Sequence, residues 1–281
     1  MISIPGSMPP HWVQDLQPKR SPAVAAAARR ATPAPQAAAL LGSVHSFDLS
    51  TGVDGPGTRF VAFLAGCPLR CQYCHSPDTW ARRNGRQMSV DDLMVEVERY
   101  RRFISVAGGG VTISGGEPLQ QPGFTRAFLA RCHATGLHTA LDTSGFLGDH
   151  ADDALLASTD LVLLDIKAWD DDLYHRVTGT GRIAPTILFA QRLAALGKRT
   201  WIRFVLVPGL TDGEDNISAI ARFAAGLGNV ERVEVLPFHR LGAAKYTALG
   251  LHFPLSETEP PSAEALARAR RQFSDRGLFV T

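Results

Sequence analysis

From about residue 43 onward, short apolar and β-branched runs alternate with longer stretches of helical periodicity, and this alternation constrains the fold more than any other feature. Parallel strands need a crossover of a dozen or more residues, usually a helix, so repeated units of this kind build a parallel sheet covered by helices. Six strands are expected, over residues 59–65, 110–114, 138–142, 161–167, 200–207 and 232–236, each bounded by Gly, Pro or polar residues. Ser89 opens a helix as an N-cap with Asp92 three residues on, and Leu93, Val95, Val97 and Tyr100 give its apolar positions. Further helices are expected over 121–135, 185–196, 215–226 and 262–273, the last preceding a short run, Leu278-Phe279-Val280. Six or seven such units in about 240 residues suit a single (β/α) barrel, complete or partial, better than two domains.

Composition supports a globular body without disulfide staples: 281 residues, 45% hydrophobic and 20% charged. Residues 1–40 differ, with seven prolines and an alanine-rich run, and are expected to be a disordered extension preceding a domain at 41–281. The extension carries a charge of about +3; an organellar transit peptide is the alternative reading, disfavoured because no amphipathic helix is evident. A net charge of +2 argues against nucleic acid or an anionic membrane as the main partner. No run approaches the roughly 18 apolar residues of a membrane span, and the first residues lack a secretory pattern, so a cytoplasmic protein is expected.

Three of the four cysteines, Cys67, Cys71 and Cys74, lie within eight residues, while Cys132 stands apart and is expected to pack as a small apolar residue. The C-x3-C-x2-C spacing suits one metal centre in a reducing compartment. Thiolate sulfur fits zinc or an iron–sulfur cluster, and the spacing by itself does not separate them. His75 is too close to Cys74 to turn easily onto the same metal, so a four-iron cluster held here would keep one iron open to an outside ligand.

The remaining polar motifs fall at strand ends. Cys67 follows the first expected strand, Gly115-Gly116-Glu117 the second and Asp142-Thr143 closes the third; Asp165 and Lys167 end the fourth, and Pro237-Phe238-His239 follows the sixth. Arg203 lies inside the fifth, where burial demands a partner. In a (β/α) barrel the C-terminal strand ends share one mouth, so these motifs converge there and point to an enzyme.

The run Cys67-x3-Cys71-x2-Cys74, with Tyr73 before its last cysteine, resembles the cluster motif of radical S-adenosylmethionine enzymes. Further matches place the chain beside the glycyl-radical activating enzymes, in particular the family that activates pyruvate formate-lyase. They include Ser43-Val44-His45-Ser46-Phe47, Val53-Asp54-Gly55-Pro56-Gly57, Asp78-Thr79-Trp80, Ser114-Gly115-Gly116-Glu117, Leu141-Asp142-Thr143, Leu164-Asp165-Ile166-Lys167, Trp201-Ile202-Arg203 and Leu236-Pro237-Phe238-His239. The resemblance implies an α/β fold, a partial (β/α)6 TIM-type barrel, with a [4Fe–4S] cluster on Cys67, Cys71 and Cys74. It implies that S-adenosylmethionine chelates the open iron, that one electron from the reduced cluster splits it into methionine and a 5′-deoxyadenosyl radical, and that this radical takes a hydrogen atom from a backbone glycine of the lyase.

The same resemblance assigns roles. Tyr73, Gly115, Gly116, Glu117, Lys167, Arg203 and His239 would meet the cofactor, and Asp142 with Thr143 a monovalent cation beside it. Asp54, His75 and Arg203 would lie near the glycine-bearing peptide. Other readings exist for single residues: Asp142 as a helix cap, Asp54 as a brace for its own turn, His239 as a satisfied core histidine. Trp80 is a candidate cover for the cluster loop. Ser76 and Pro118 depart from the family pattern, where asparagine and alanine are usual, and the chain has no cysteines for a second cluster. Pyruvate formate-lyase as protein substrate, flavodoxin or ferredoxin as electron donor and a monomeric state complete the expectations. Radical chemistry on a small molecule, and a zinc-stabilised module or simple electron carrier, are the competing functions.

Overall fold

The computed structural model describes residues 40–281; the expected N-terminal extension lies outside the described residues, apart from Leu40. One eight-stranded sheet runs in the order β3-β1-β2-β4-β5-β6-β7-β8. Its strands are β1 (Leu41–Thr51), β2 (Thr58–Leu64), β3 (Arg86–Ser89), β4 (Gly110–Gly115), β5 (His138–Thr143), β6 (Leu161–Asp165), β7 (Thr200–Leu206) and β8 (Val230–Pro237). The five neighbouring pairs along β2-β4-β5-β6-β7-β8 are parallel, whereas β1 pairs antiparallel with both β2 and β3. The sheet does not close, and the six parallel strands form the partial TIM-type barrel that the alternation suggested.

The helices are α1 (Val90–Val106), α2 (Pro122–Ala134), α3 (Asp153–Ala157), α4 (Asp171–Thr178), α5 (Ala184–Ala195), α6 (Glu214–Leu227), α7 (Ala243–Ala248) and α8 (Ala263–Ser274). Ser89 and Asp92 form the expected capping box of α1. Two strands and three helices were not expected. β1 and β3 escape because the hairpin β1–β2 is antiparallel, half-exposed and interrupted by an irregularity between Val44 and Ser46. α3, α4 and α7 are at most eight residues long, too short for periodicity to register. The C-terminal run is no full strand; Val280 makes one parallel bridge with Val233 along β8.

Alternation along each strand sets the layers. One face, including Phe60, Ala62, Val111, Ile113, Leu141, Val162, Leu164, Ile202, Phe204 and Val235, packs in the main core with residues of the helices. The other face points into the barrel, where Ala140, Leu161, Leu163 and Trp201 form a small apolar floor. One step of two residues further along β5, β6 and β7 come Asp142, Asp165 and Arg203, so the period of the strands lifts charge onto the rim above that floor.

Candidate active site

A cavity of about 500 Å³ opens above the floor, and Cys67, Cys71 and Cys74 all line it. The cysteine loop is built on backbone pairing. Cys67 N–H donates to Trp80 O at 3.1 Å, Arg70 N–H to Thr178 O at 2.7 Å and Gln72 N–H to Val177 O at 2.9 Å, which fastens the loop to the end of α4. The Arg70 guanidinium stacks 4.9 Å from the Trp80 ring and donates to Cys67 O at 2.8 Å. Burial pushes all three thiols up, Cys71 to about 11 with the Lys167 ammonium opposing the rise.

The donor set fits a cluster better than a single ion. Three soft sulfur atoms border one roomy cavity, yet among the described residues no three His, Cys, Asp or Glu side chains converge as ligands of one ion. A [4Fe–4S] cluster would spread its cysteine ligands over separate corners, which suits three sulfur atoms that border one cavity without converging on a point.

Of the expected site residues, Asp54, Tyr73, His75, Gly115, Gly116, Asp142, Thr143, Lys167, Arg203 and His239 line the same cavity as the cysteines. Glu117 does not. Its buried carboxylate is turned away and accepts from Leu119 N–H (3.1 Å), Thr143 Oγ1 (2.7 Å), Ser144 N–H (3.0 Å) and Ser144 Oγ (2.5 Å). It braces the loop after β5 instead of facing the cavity. The two glycines have a structural cause as well: a Cβ on Gly115 would stand 2.3 Å from Leu64 N, and one on Gly116 2.3 Å from Gly66 O.

Arg203 was expected to seek a carboxylate of cofactor or peptide, and it finds two within the chain. Its Nη1 lies 3.2 Å from Asp142 Oδ1 and its Nε 3.4 Å from Glu234 Oε2. Asp142 therefore caps no helix; it also accepts from Ser114 Oγ at 2.6 Å. Lys167 Nζ sits 2.7 Å from Asp165 Oδ2 and 5.6 Å from the Tyr73 ring centre. His75 and His239 stack with ring centres 4.1 Å apart, and His239 Nδ1 is buried without a partner. Burial, then the neighbouring His239, pushes His75 down.

Sequence reasoning gave no role to Ser114, Ser144, Asp165 or Glu234. The first three line the cavity, and Glu234 braces Arg203 from β8. Position at a strand end was the available signal for Asp165, whereas Glu234 lies mid-strand and its charge alone carried none.

Residues 61–221 match the family described as Radical SAM superfamily. The chain is 42% identical over 245 residues to pyruvate formate-lyase 1-activating enzyme of Escherichia coli (strain K12), covering 85% of this chain and 99% of that protein. The chain belongs to the radical SAM superfamily and its pyruvate formate-lyase-activating enzymes. The corresponding enzyme of Clostridium pasteurianum is 43% identical over 226 residues, covering 80% of this chain and 94% of the other. Among solved structures, a domain of pyruvate-formate lyase-activating enzyme from Bacteroides vulgatus ATCC 8482 superposes with a TM-score of 0.52 at 28% identity, covering 62% of this chain and 98% of that one. Streptococcus suis SuiB bound to its precursor peptide SuiA gives 0.60 at 17% identity, over 81% of this chain and 48% of that one, a likeness of fold.

Proposed function

We propose that this chain activates pyruvate formate-lyase by removing a hydrogen atom from a backbone glycine, leaving a glycyl radical. The observation that carries the reading is the single cavity that joins the three-cysteine loop to the rim of Asp54, Asp142, Lys167, Arg203 and His239. Cys67, Cys71 and Cys74 would hold a [4Fe–4S] cluster, with S-adenosylmethionine beside it. When bound, cluster and S-adenosylmethionine together supply the one-electron chemistry that removes the hydrogen atom.

The chain's own residues orient and shield. Lys167 and Arg203 give the wall two cations already fixed by Asp165, Asp142 and Glu234, so a carboxylate entering the cavity meets oriented donors without a large reorganisation. Tyr73, Phe63, Leu69, Val205 and Leu236 contribute apolar wall that keeps water from the reacting carbon. Asp54 and the His75–His239 stack border the same space and would receive the glycine-bearing peptide. A flavodoxin or ferredoxin supplies the electron, and the protein works as a cytoplasmic monomer. Among the described residues no helix is long and apolar enough to cross a membrane.

Anaerobic incubation of the reconstituted protein with pyruvate formate-lyase, S-adenosylmethionine and a reductant tests the reading. A glycyl-radical signal in electron paramagnetic resonance, with an equivalent of 5′-deoxyadenosine, is expected. Deoxyadenosine that accumulates with no radical on the lyase would overturn it.

A further inference from the structure

Arg59 heads the fully buried side chains of the core by size, and its partners are all neutral. Nε donates to Thr112 Oγ1 at 2.5 Å. Nη1 donates to Pro56 O and faces His138 Nδ1, both at 3.3 Å. Nη2 donates to Val111 O at 2.6 Å and His138 O at 3.3 Å. The five N–H groups of the guanidinium thus have five acceptors, and His138 Nδ1 must present its lone pair. Burial pushes Arg59 down to about 10, with Asp54 and Asp160 working against the fall. Nothing in the apolar floor requires a cation at this depth, so the arrangement asks for a use.

The contacts lead to the turn between β1 and β2. Thr112 accepts from Arg59 and donates its own hydroxyl hydrogen bond to Asp54 O at 2.7 Å, so arginine, threonine and turn form one chain of hydrogen bonds. Gly55 has φ +116°, and a Cβ there would lie 2.8 Å from Arg59 Cδ, so the arginine stem fills the space under the turn. From the opposite side Arg203 Nη2 donates to Val53 O at 3.4 Å. The segment 53–57 is clamped between two arginines, one below and one in the cavity, and Val53 and Asp54 form part of the cavity wall.

We propose that Arg59 is a positioning residue for recognition of the glycine-bearing peptide: through Thr112 and Pro56 its guanidinium sets the height at which Asp54 enters the cavity. The inference rests on the activase reading given above. Lysine at this position would keep the charge but offer three donors in place of the planar five, and so would not reproduce the clamp.

Three variants of the cluster-loaded full-length chain test it: Asp54→Asn, Arg59→Lys and Thr112→Val. The probes are S-adenosylmethionine and a synthetic peptide carrying the glycine segment of pyruvate formate-lyase. Arg59→Lys and Thr112→Val are expected to raise the peptide KM by about tenfold, as loss of an anchoring hydrogen bond implies, with S-adenosylmethionine affinity changed less than about twofold. Amide hydrogen exchange across residues 53–58 should speed up in both variants even before the cluster is installed. Thr112→Val keeps the side-chain volume, so it reads this chain of hydrogen bonds even if Arg59→Lys folds poorly. A raised KM in Asp54→Asn with none in Thr112→Val and the folded Arg59→Lys would overturn the positioning role alone. A KM unmoved by Asp54→Asn would overturn the peptide-facing reading of this wall, and the proposal with it. Equal losses of peptide and S-adenosylmethionine binding in Thr112→Val would mark a general loosening and also overturn it.

Discussion

Arg203 Nη1 stands 3.2 Å from Asp142 Oδ1 inside the cavity bordered by the three cysteines, and this pairing works against what burial does to Asp142. Burial pushes the Asp142 carboxyl up, Arg203 opposes it and Asp165 adds to the rise, leaving it at about 6 against an ordinary 3.8. A folded value above the unfolded one means that the folded protein holds this proton more tightly. The stabilisation is complete below about pH 4 and is lost as pH climbs through about 6. Asp142→Asn removes the group, so the thermal midpoint of the wild type minus that of the variant should fall steadily between those limits and level off above. A constant difference would transfer the effect to Glu234, which burial also pushes up.

Glu117 holds the loop after β5 with one carboxylate that accepts four hydrogen bonds. Whichever way its amide is turned, Glu117→Gln sets an NH2 against a backbone donor, Leu119 N–H on one side or Ser144 N–H on the other. The variant should be less stable by about 2–4 kcal/mol in urea unfolding, since charged acceptors in buried sites cost more to lose than neutral ones. Ser144 and Thr143 border the cavity, so weakened S-adenosylmethionine binding should accompany the loss.

Much of the barrel was legible in the sequence because its strands are buried on both faces and read as short apolar runs: all six expected strands appear within three residues of their expected limits. The charges on the rim were legible by position, Asp142 closing β5 and Arg203 standing inside β7. What they pair with was not. Asp142 and Arg203 meet only because β5, β6 and β7 are neighbours with Asp142 opposite Leu163 and Asp165 opposite Arg203, a register that no local pattern encodes. The His75–His239 stack likewise joins positions 164 apart. Glu117 misled because its motif names a carboxylate without saying which way the side chain turns.

Cys71→Ser should abolish cluster assembly while leaving the fold intact. The loop's course is carried by main-chain bonds to Thr178 O and Val177 O and by the Gln72 side chain on Arg176 O, none of which needs a thiol. Iron and sulfide analysis after anaerobic reconstitution should show near-complete loss, and far-ultraviolet circular dichroism should be unchanged. Bound zinc in equal amount to the wild-type iron, without sulfide, would contradict the cluster reading.

Gly116 marks the closest approach between the second strand end and the cysteine loop. A Cβ there would lie 2.3 Å from Gly66 O, 2.8 Å from Gly66 C and 3.1 Å from Thr79 O, all backbone atoms. They cannot easily retreat: Gly66 N–H donates to Thr79 O at 2.6 Å, and Gly66 O accepts from Glu117 N–H at 2.8 Å. Gly116→Ala must therefore push the residue before Cys67 away from β4. A loss of about 2–4 kcal/mol is expected from such overpacking against main chain. The cluster should load less completely, because Cys67 is displaced relative to Cys71, whose neighbours Arg70 and Gln72 are held independently by the end of α4. Gly123→Ala is the control, since nothing lies within 4 Å of its added methyl and it sits in α2. That variant should be stabilised by about 0.4–1 kcal/mol, with iron content unchanged. Equal iron loading in both variants would show that the loop's position does not depend on the Gly116 contact.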